Sequence, residues 1–202
     1  MRPVLFTQRV DIVEAYGERR DAADQRVADF IYVCGFLPIP LPNDAQKARA
    51  IFSALSPAGI ILTGGNSLVK YGGNAPERDA ADKILLELAV KEKVPLYGFC
   101  RGMQSILDYF GNGLMDVQGH VAVRHMAEGI ESPQEVNSYH NQGCKELLSP
   151  DLEVVLKAAD GVIEKIRHRK LPMIGTMWHP ERESPFGEAD KAMLKKLFGG
   201  NG

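Results

Sequence analysis

The sequence predicts an α/β fold, a mostly parallel central sheet with helices on both faces and a β-rich insertion in the second half. Short apolar runs alternate with amphipathic stretches through the first half. The second half changes to several short strand-like segments. The run PMIGTMW, 172–178, then restores the buried-strand type.

VLF at 4–6 is the first strand. Residues 21–34 carry Val27, Phe30, Ile31 and Cys34 at helical spacing, and FLPIPL, 36–41, is held extended by its prolines. Asn43 and Asp44 are cap residues for a helix with Ala48, Ile51, Phe52 and Leu55 on one face. AGIILT, 58–63, is a buried strand ending in Gly64-Gly65. Pro76 opens a helix through about Ala89, with Ile84, Leu85 and Leu88 apolar. VPLYGF, 94–99, is the next strand, and Met103, Ile106, Leu107 and Phe110 line the helix after it. VQGHVAVRH, VNSYHN, LEVVLKAA and GVIEKI read as short strands. Met193, Leu194, Leu197 and Phe198 mark a closing helix, and glycines 199, 200 and 202 a frayed tail.

The chain of 202 residues is long enough for one domain over 1–202 with a sizeable core. Its net charge of −2 shows no basic bias, so no nucleic-acid partner is expected. The N-terminal stretch turns polar too early for a signal peptide, and no apolar run spans a bilayer. No membrane association and a cytoplasmic location are therefore expected. Cys34, Cys100 and Cys144 are odd in number and widely spaced, which suggests neither disulfides nor a zinc knuckle. Five histidines without close ligand spacing predict no metal site; His125 and His168 read as surface residues.

Cys100 falls between a strand and a helix, with Gly98 and Gly102 two residues to either side. A helix N-terminus favours thiolate over thiol, and small neighbours leave room for a substrate carbonyl. A buried structural cysteine is the alternative. Trp178-His179-Pro180-Glu181 follows another strand, so His179 falls on the same sheet edge, with Glu181 able to hold its second ring nitrogen. Gly65, just after the IILT strand, and Arg101, at the helix start, can supply backbone N–H groups for an oxyanion hole. Together these elements predict cysteine acyl-transfer chemistry.

The residues that carry this reading resemble the class I glutamine amidotransferase-like superfamily, over nearly the whole chain. Gly98-Phe99-Cys100-Arg101-Gly102-Met103-Gln104 is similar to its G-x-C-x-G-x-Q segment. Trp178 to Glu181 is similar to its W-H-P-E segment, Val136-Asn137-Ser138-Tyr139-His140 to its V-N-S-x-H strand, and Thr63-Gly64-Gly65 to its oxyanion loop. The resemblance implies a flavodoxin-like sheet and a Cys100–His179–Glu181 triad. It implies a glutamyl pocket formed by Gln104 and the backbone of Ser138, Tyr139 and His140, with no metal or organic cofactor.

Asp160-Gly161-Val162-Ile163-Glu164 and His140-Asn141-Gln142 resemble the gamma-glutamyl hydrolase (peptidase C26-like) branch. That gives Glu164 either a pocket role or the role of a solvent-facing strand carboxylate, and puts His120 beside the pocket. The N-terminal arginines, including Arg19 and Arg20, resemble those of gamma-glutamyl-CDP-amidate hydrolases, a subgroup implied in the phosphoramidate decoration of bacterial capsules. Arginine forks suit phosphates; a solvated, salt-bridged helix face is the other reading. The resemblance thus implies a small-molecule gamma-glutamyl substrate, with a nucleotide-bearing one as the specific candidate, and leaves room for a homodimer. A glutaminase supplying ammonia to a synthetase, a gamma-glutamyl-GABA-type hydrolase and a non-catalytic binding relative are the rivals.

Overall fold

A computed structural model of the chain describes residues 1–200. Strand β1 (Pro3–Phe6) is followed by a hairpin of β2 (Arg9–Val13) and β3 (Glu18–Ala22), then helix α1 (Gln25–Val33) and β4 (Leu37–Pro40). Helix α2 (Ala45–Leu55), β5 (Gly59–Leu62), α3 (Pro76–Glu92), β6 (Leu96–Phe99) and α4 (Arg101–Tyr109) complete the alternating half. The second half comprises β7 (Met115–Asp116), β8 (Val121–Gly129), β9 (Gln134–Tyr139), β10 (Gln142–Gly143), β11 (Leu152–Ala158), β12 (Ile163–His168), β13 (Met173–Thr176) and α5 (Glu188–Gly199).

Nine strands form the main sheet in the order β4-β1-β5-β6-β13-β12-β11-β8-β9. β4 to β13 in that order run parallel, and β12, β11, β8 and β9 continue antiparallel. The expected parallel sheet with a β-rich insertion is therefore present, and the insertion extends the same sheet. β4 is an edge strand, where Pro38 and Pro40 cost no ladder bond on the open side. Helices α2, α3 and α4 cover one face through Phe52, Leu85, Leu86, Met103 and Ile106. Helices α1 and α5 cover the other through Phe30, Ile31, Leu194 and Phe198. Each fully buried Leu or Phe of these two cores contributes about 1.5–3 kcal/mol.

Local signals place the helix starts. The Asp44 side chain accepts from the backbone N–H groups of Gln46 and Lys47 and caps α2. Pro76 opens α3, with Glu77 and Asp79 in its first turn favoured by the helix dipole. The β2–β3 hairpin departs from expectation, since part of this segment read as a helix face. Gly17, at φ +72°, closes its turn, and the strands are too short and too polar for alternation to reveal them. Gly199 ends α5 rather than starting a tail, and Gly202 lies outside the described residues. Among the described residues no helix is long and apolar enough to cross a membrane.

Candidate active site

Register brings the carboxyl ends of three parallel strands together. Leu62 of β5 pairs with Gly98 of β6, and Phe99 pairs with Thr176 of β13. The residues that follow, Gly64-Gly65, Cys100 and His179, therefore emerge along one edge, where open α/β sheets place their sites.

Cys100 occupies the turn from β6 into α4 with φ +51° and ψ −110°. A non-glycine residue in this region is strained, by about 1–3 kcal/mol. Its surroundings enforce it. The Cys100 N–H donates to the Thr176 carbonyl at 2.7 Å and its carbonyl accepts from Gln104 N–H at 3.1 Å. A Cβ on Gly102 would lie 1.9 Å from the Leu62 carbonyl oxygen, and one on Gly98 would lie 2.6 Å from the Gly102 backbone. The two flanking glycines thus let α4 sit directly on β5 and β6. Burial pushes the Cys34 thiol up to about 11 and raises Cys144 as well, so both are poor nucleophiles at neutral pH.

His179 is buried, and its Nδ1 lies 2.6 Å from Glu181 Oε1. Its backbone is held by Asn137, which donates to the His179 carbonyl at 2.8 Å and accepts from the His179 N–H at 2.9 Å. The rings of Phe99 and Tyr139 pack edge-on against the imidazole. Desolvation pulls the ring's pKa down, but the nearby Cys100 side chain and the Glu181 carboxylate outweigh burial and raise it to about 9.

The Gly64-Gly65 loop fits against this ring. A Cβ on Gly64 would lie 2.6 Å from His179 Cε1, and Gly65, at φ +98°, has no room beside Arg9. Arg78, fully buried, donates to the carbonyls of Thr63 and Gly64 at 2.8 and 2.7 Å and so fixes the loop. Arg101 N–H is the first amide of α4, one of the donors a helix leaves unpaired. The Arg101 side chain turns inward, to Asp79, Asp82 and Ser105.

The pocket residues expected from sequence divide. Ser138 is buried and donates to the His120 carbonyl. Tyr139 is exposed, with the Arg182 guanidinium 4.2 Å above its ring. Gln104 donates to the Gln142 carbonyl at 3.0 Å. Arg19 and Arg20 lie on the hairpin, paired with Glu77 and Glu18. The small cleft beside Gly64, Gly65, Phe99 and His179 is lined instead by Arg9 and Arg182, which sequence reasoning missed. Arg78 and Asn137 were likewise missed in these roles, although Asn137 stands inside a motif already noted. A larger cavity, lined by Trp178, Asp190 and Met193, opens by α5.

Among the described residues, the His, Cys, Asp and Glu side chains that converge as a group of three are not Cys100, His179 and Glu181. They are His120, His140 and Glu164, whose ligand atoms all lie within 4.8 Å of one another. The three cysteines are free, buried and outside this group. The expectation of a hydrolase working through one Cys–His–Glu triad is corrected on this finding: the compact cluster is His–His–Glu. One of the two readings of Glu164 and the expectation of a surface His125 fall as well. Glu164 is wholly buried rather than solvent-facing, and its burial, which raises its pKa, is outweighed by the facing imidazoles of His125 and His140, which lower it. His125 is only part-exposed and lies 3.2 Å from Glu164 Oε1. Histidines scattered along the chain are gathered by the antiparallel strands, which spacing alone could not show.

The model of the glutamine amidotransferase class-I family matches residues 20–199. A gamma-glutamyl-CDP-amidate hydrolase from Campylobacter jejuni is 33% identical over 198 residues, covering 96% of each chain. A gamma-glutamyl-gamma-aminobutyrate hydrolase from Escherichia coli O157:H7 is 28% identical over 225 residues, covering 91% of this chain and 86% of its own. Among solved structures, a protein from Thermoplasma acidophilum assigned as a GMP synthase component superposes with a TM-score of 0.74 at 17% identity, over 98% of this chain and 94% of that one. That likeness supports the flavodoxin-like sheet seen here. On its motifs, its sheet and these matches, the chain belongs to the class I glutamine amidotransferase family.

Proposed function

We propose that this chain, acting as one catalytic domain, hydrolyses a gamma-glutamyl amide or phosphoramidate and releases glutamate. The observation that carries this is the strained Cys100 turn on the sheet edge that also carries His179, a buried ring whose pKa is raised to about 9. At neutral pH such a ring is an imidazolium and carries a proton that it can deliver to a leaving group. The Cys100 sulfur attacks the glutamyl carbonyl, forming a C–S bond, and the oxyanion faces the N–H groups of Gly65 and Arg101. The intermediate collapses, the C–N bond breaks and His179 passes its proton to the leaving nitrogen. Water then attacks the thioester and His179 takes its proton, so that glutamate leaves and the thiolate returns.

The specific reading is a nucleotide-bearing substrate of the gamma-glutamyl-CDP-amidate type, used in building the phosphoramidate decoration of a capsule. The C. jejuni relative supports it, as do Arg9 and Arg182 at the cleft, which suit a phosphate. Gln104 and the Ser138–His140 backbone then serve the glutamyl end, and Arg19 and Arg20 stand farther out on the hairpin. Three free cysteines fit a reducing, cytoplasmic setting.

The test is a ranking of kcat/KM for gamma-glutamyl-CDP-amidate, gamma-glutamyl-GABA and glutamine, with mass spectrometry of the acid-quenched enzyme. Preference for the CDP-amidate and a glutamyl adduct on Cys100 are expected. Preference for the GABA amide would move the specific reading to the second relative's activity. Turnover without any Cys100 adduct, unaltered in Cys100→Ala, would overturn the mechanism.

A further inference from the structure

We propose that His120, His140 and Glu164, with His125 beside them, form a binding site for a divalent transition-metal ion of the zinc class. Glu164 Oε1 lies 3.3 Å from His120 Nδ1, 3.2 Å from His125 Nε2 and 3.5 Å from His140 Nε2. A tetrahedral ion with bonds of about 2.0–2.1 Å needs donor atoms about 3.3–3.4 Å apart. The carboxylate-to-imidazole separations match such edges.

The hydrogen-bond chemistry of the outer ring atoms points the same way. His140 Nδ1 lies 3.1 Å from the Gln142 carbonyl oxygen. A carbonyl only accepts, so Nδ1 carries the hydrogen and the neutral ring turns a lone pair on Nε2 toward Glu164. His120 Nε2 faces the Asp160 carboxylate at 3.4 Å, which leaves its Nδ1 lone pair toward Glu164 in the same way. Asp160 is itself held by the Val162 N–H at 3.1 Å. Outward hydrogen bonds of this kind orient metal-binding histidines.

The two imidazole lone pairs and the carboxylate they face repel one another unless a cation lies among them. His120 Nδ1, His125 Nε2, His140 Nε2 and both Glu164 oxygens are buried without a hydrogen-bond partner. The side chains of His120, His140 and Glu164 are 5%, 1% and 0% exposed, so solvent does not satisfy them. Imidazole and carboxylate together suit zinc and its neighbours rather than calcium or magnesium. His125, 19% exposed, gives an entry path.

The ligands come from distant segments. His120 precedes β8, His125 lies in it, His140 follows β9 and Glu164 lies in β12. An ion here ties the β8–β9 hairpin, otherwise largely solvent-facing along β8, to the rest of the sheet. It also steadies the Gln142 carbonyl that Gln104 reaches from α4.

The test uses untagged full-length protein stripped with chelator and titrated with Zn²⁺ and Co²⁺, with no assay of turnover. One equivalent bound, a tetrahedral Co²⁺ visible spectrum and a melting temperature raised by about 5–10 °C at hundredfold excess over Kd are expected. His140→Ala and Glu164→Gln are expected to lose the spectrum and the shift, and His168→Ala to keep both. No uptake of Zn²⁺ or Co²⁺ by the wild-type protein would overturn the site and leave a cluster held by protons alone. Binding undiminished in both ligand variants would also overturn it. Should those variants not fold, the wild-type spectrum and melting shift decide alone.

Discussion

Asn137 and His179 are bonded to each other in both directions, side-chain amide to backbone, at 2.8 and 2.9 Å. A strand of the insertion thus sets the position of a ring that follows a strand of the parallel half. Asn137→Ala leaves two buried backbone groups unpaired and is expected to cost about 1–3 kcal/mol. It is also expected to lower kcat more than it raises KM. Asn137→Asp keeps the acceptor but turns a carboxylate oxygen toward the His179 carbonyl and Glu183, so it should be at least as damaging. Urea unfolding and steady-state kinetics check this, and a variant less stable but unaltered in kcat would remove the positioning role.

Cys100→Ala is expected to lower turnover about a thousandfold or more while leaving the melting temperature within a few degrees, because the change removes one sulfur atom and leaves the backbone turn as it is. The same variant is expected to lower the His179 pKa. In the wild type that pKa rises from 6.5 to about 9. A ring whose pKa is raised on folding stabilises fully below the unfolded value and loses the contribution as pH climbs through the folded one. Wild-type stability should therefore fall between pH 6.5 and about 9, and more gently in Cys100→Ala. Imidazole NMR and melts across that window measure both, and an unmoved His179 midpoint would dissociate the two side chains.

Arg101 is 1% exposed and paired with Asp82, 2% exposed, and with Asp79. Arg101→Ala strands the buried Asp82 carboxylate and is expected to cost about 3–5 kcal/mol. Arg101→Met with Asp82→Leu removes both charges and should regain most of that. Chemical denaturation of the two single variants and the double variant measures the coupling.

Gly102→Ala puts a methyl 1.9 Å from the Leu62 carbonyl oxygen. Backbone on one side and a packed helix on the other leave nowhere to yield, so a loss of about 4 kcal/mol or more is expected. Circular dichroism melts and soluble yield report it, with Gly111→Ala, in open space but at φ +79°, as the milder comparison.

Arg9 and Arg182 line the cleft, whereas Arg19 and Arg20 are paired on the hairpin. Arg9→Ala and Arg182→Ala are expected to lower kcat/KM for a nucleotide-bearing gamma-glutamyl substrate about tenfold more than for gamma-glutamyl-GABA. Arg20→Ala should change both little. Equal losses on both substrates would remove phosphate contact as the role of the cleft arginines.

Much of the fold was legible because its signals are local. Apolar runs at β5, β6 and β13, the Asp44 cap and Pro76 each act through neighbouring residues or uniform burial. The turn at Cys100 was legible for the same reason, since two glycines two residues away declare close backbone approach on either side. The β2–β3 hairpin was not, because a pair of short polar strands carries little periodicity.

By itself the sequence determined the order of the alternating elements, the turn that mounts Cys100 and the strand end that carries His179. Tertiary structure alone decided which ionisable groups share a space. His120, His125, His140 and Glu164 stand far apart in the chain, and only the antiparallel pairings of β8, β9, β11 and β12 bring them around one carboxylate. Interaction energies depend on distance and burial, and for residues joined by long-range strand pairing neither is written in the spacing along the chain.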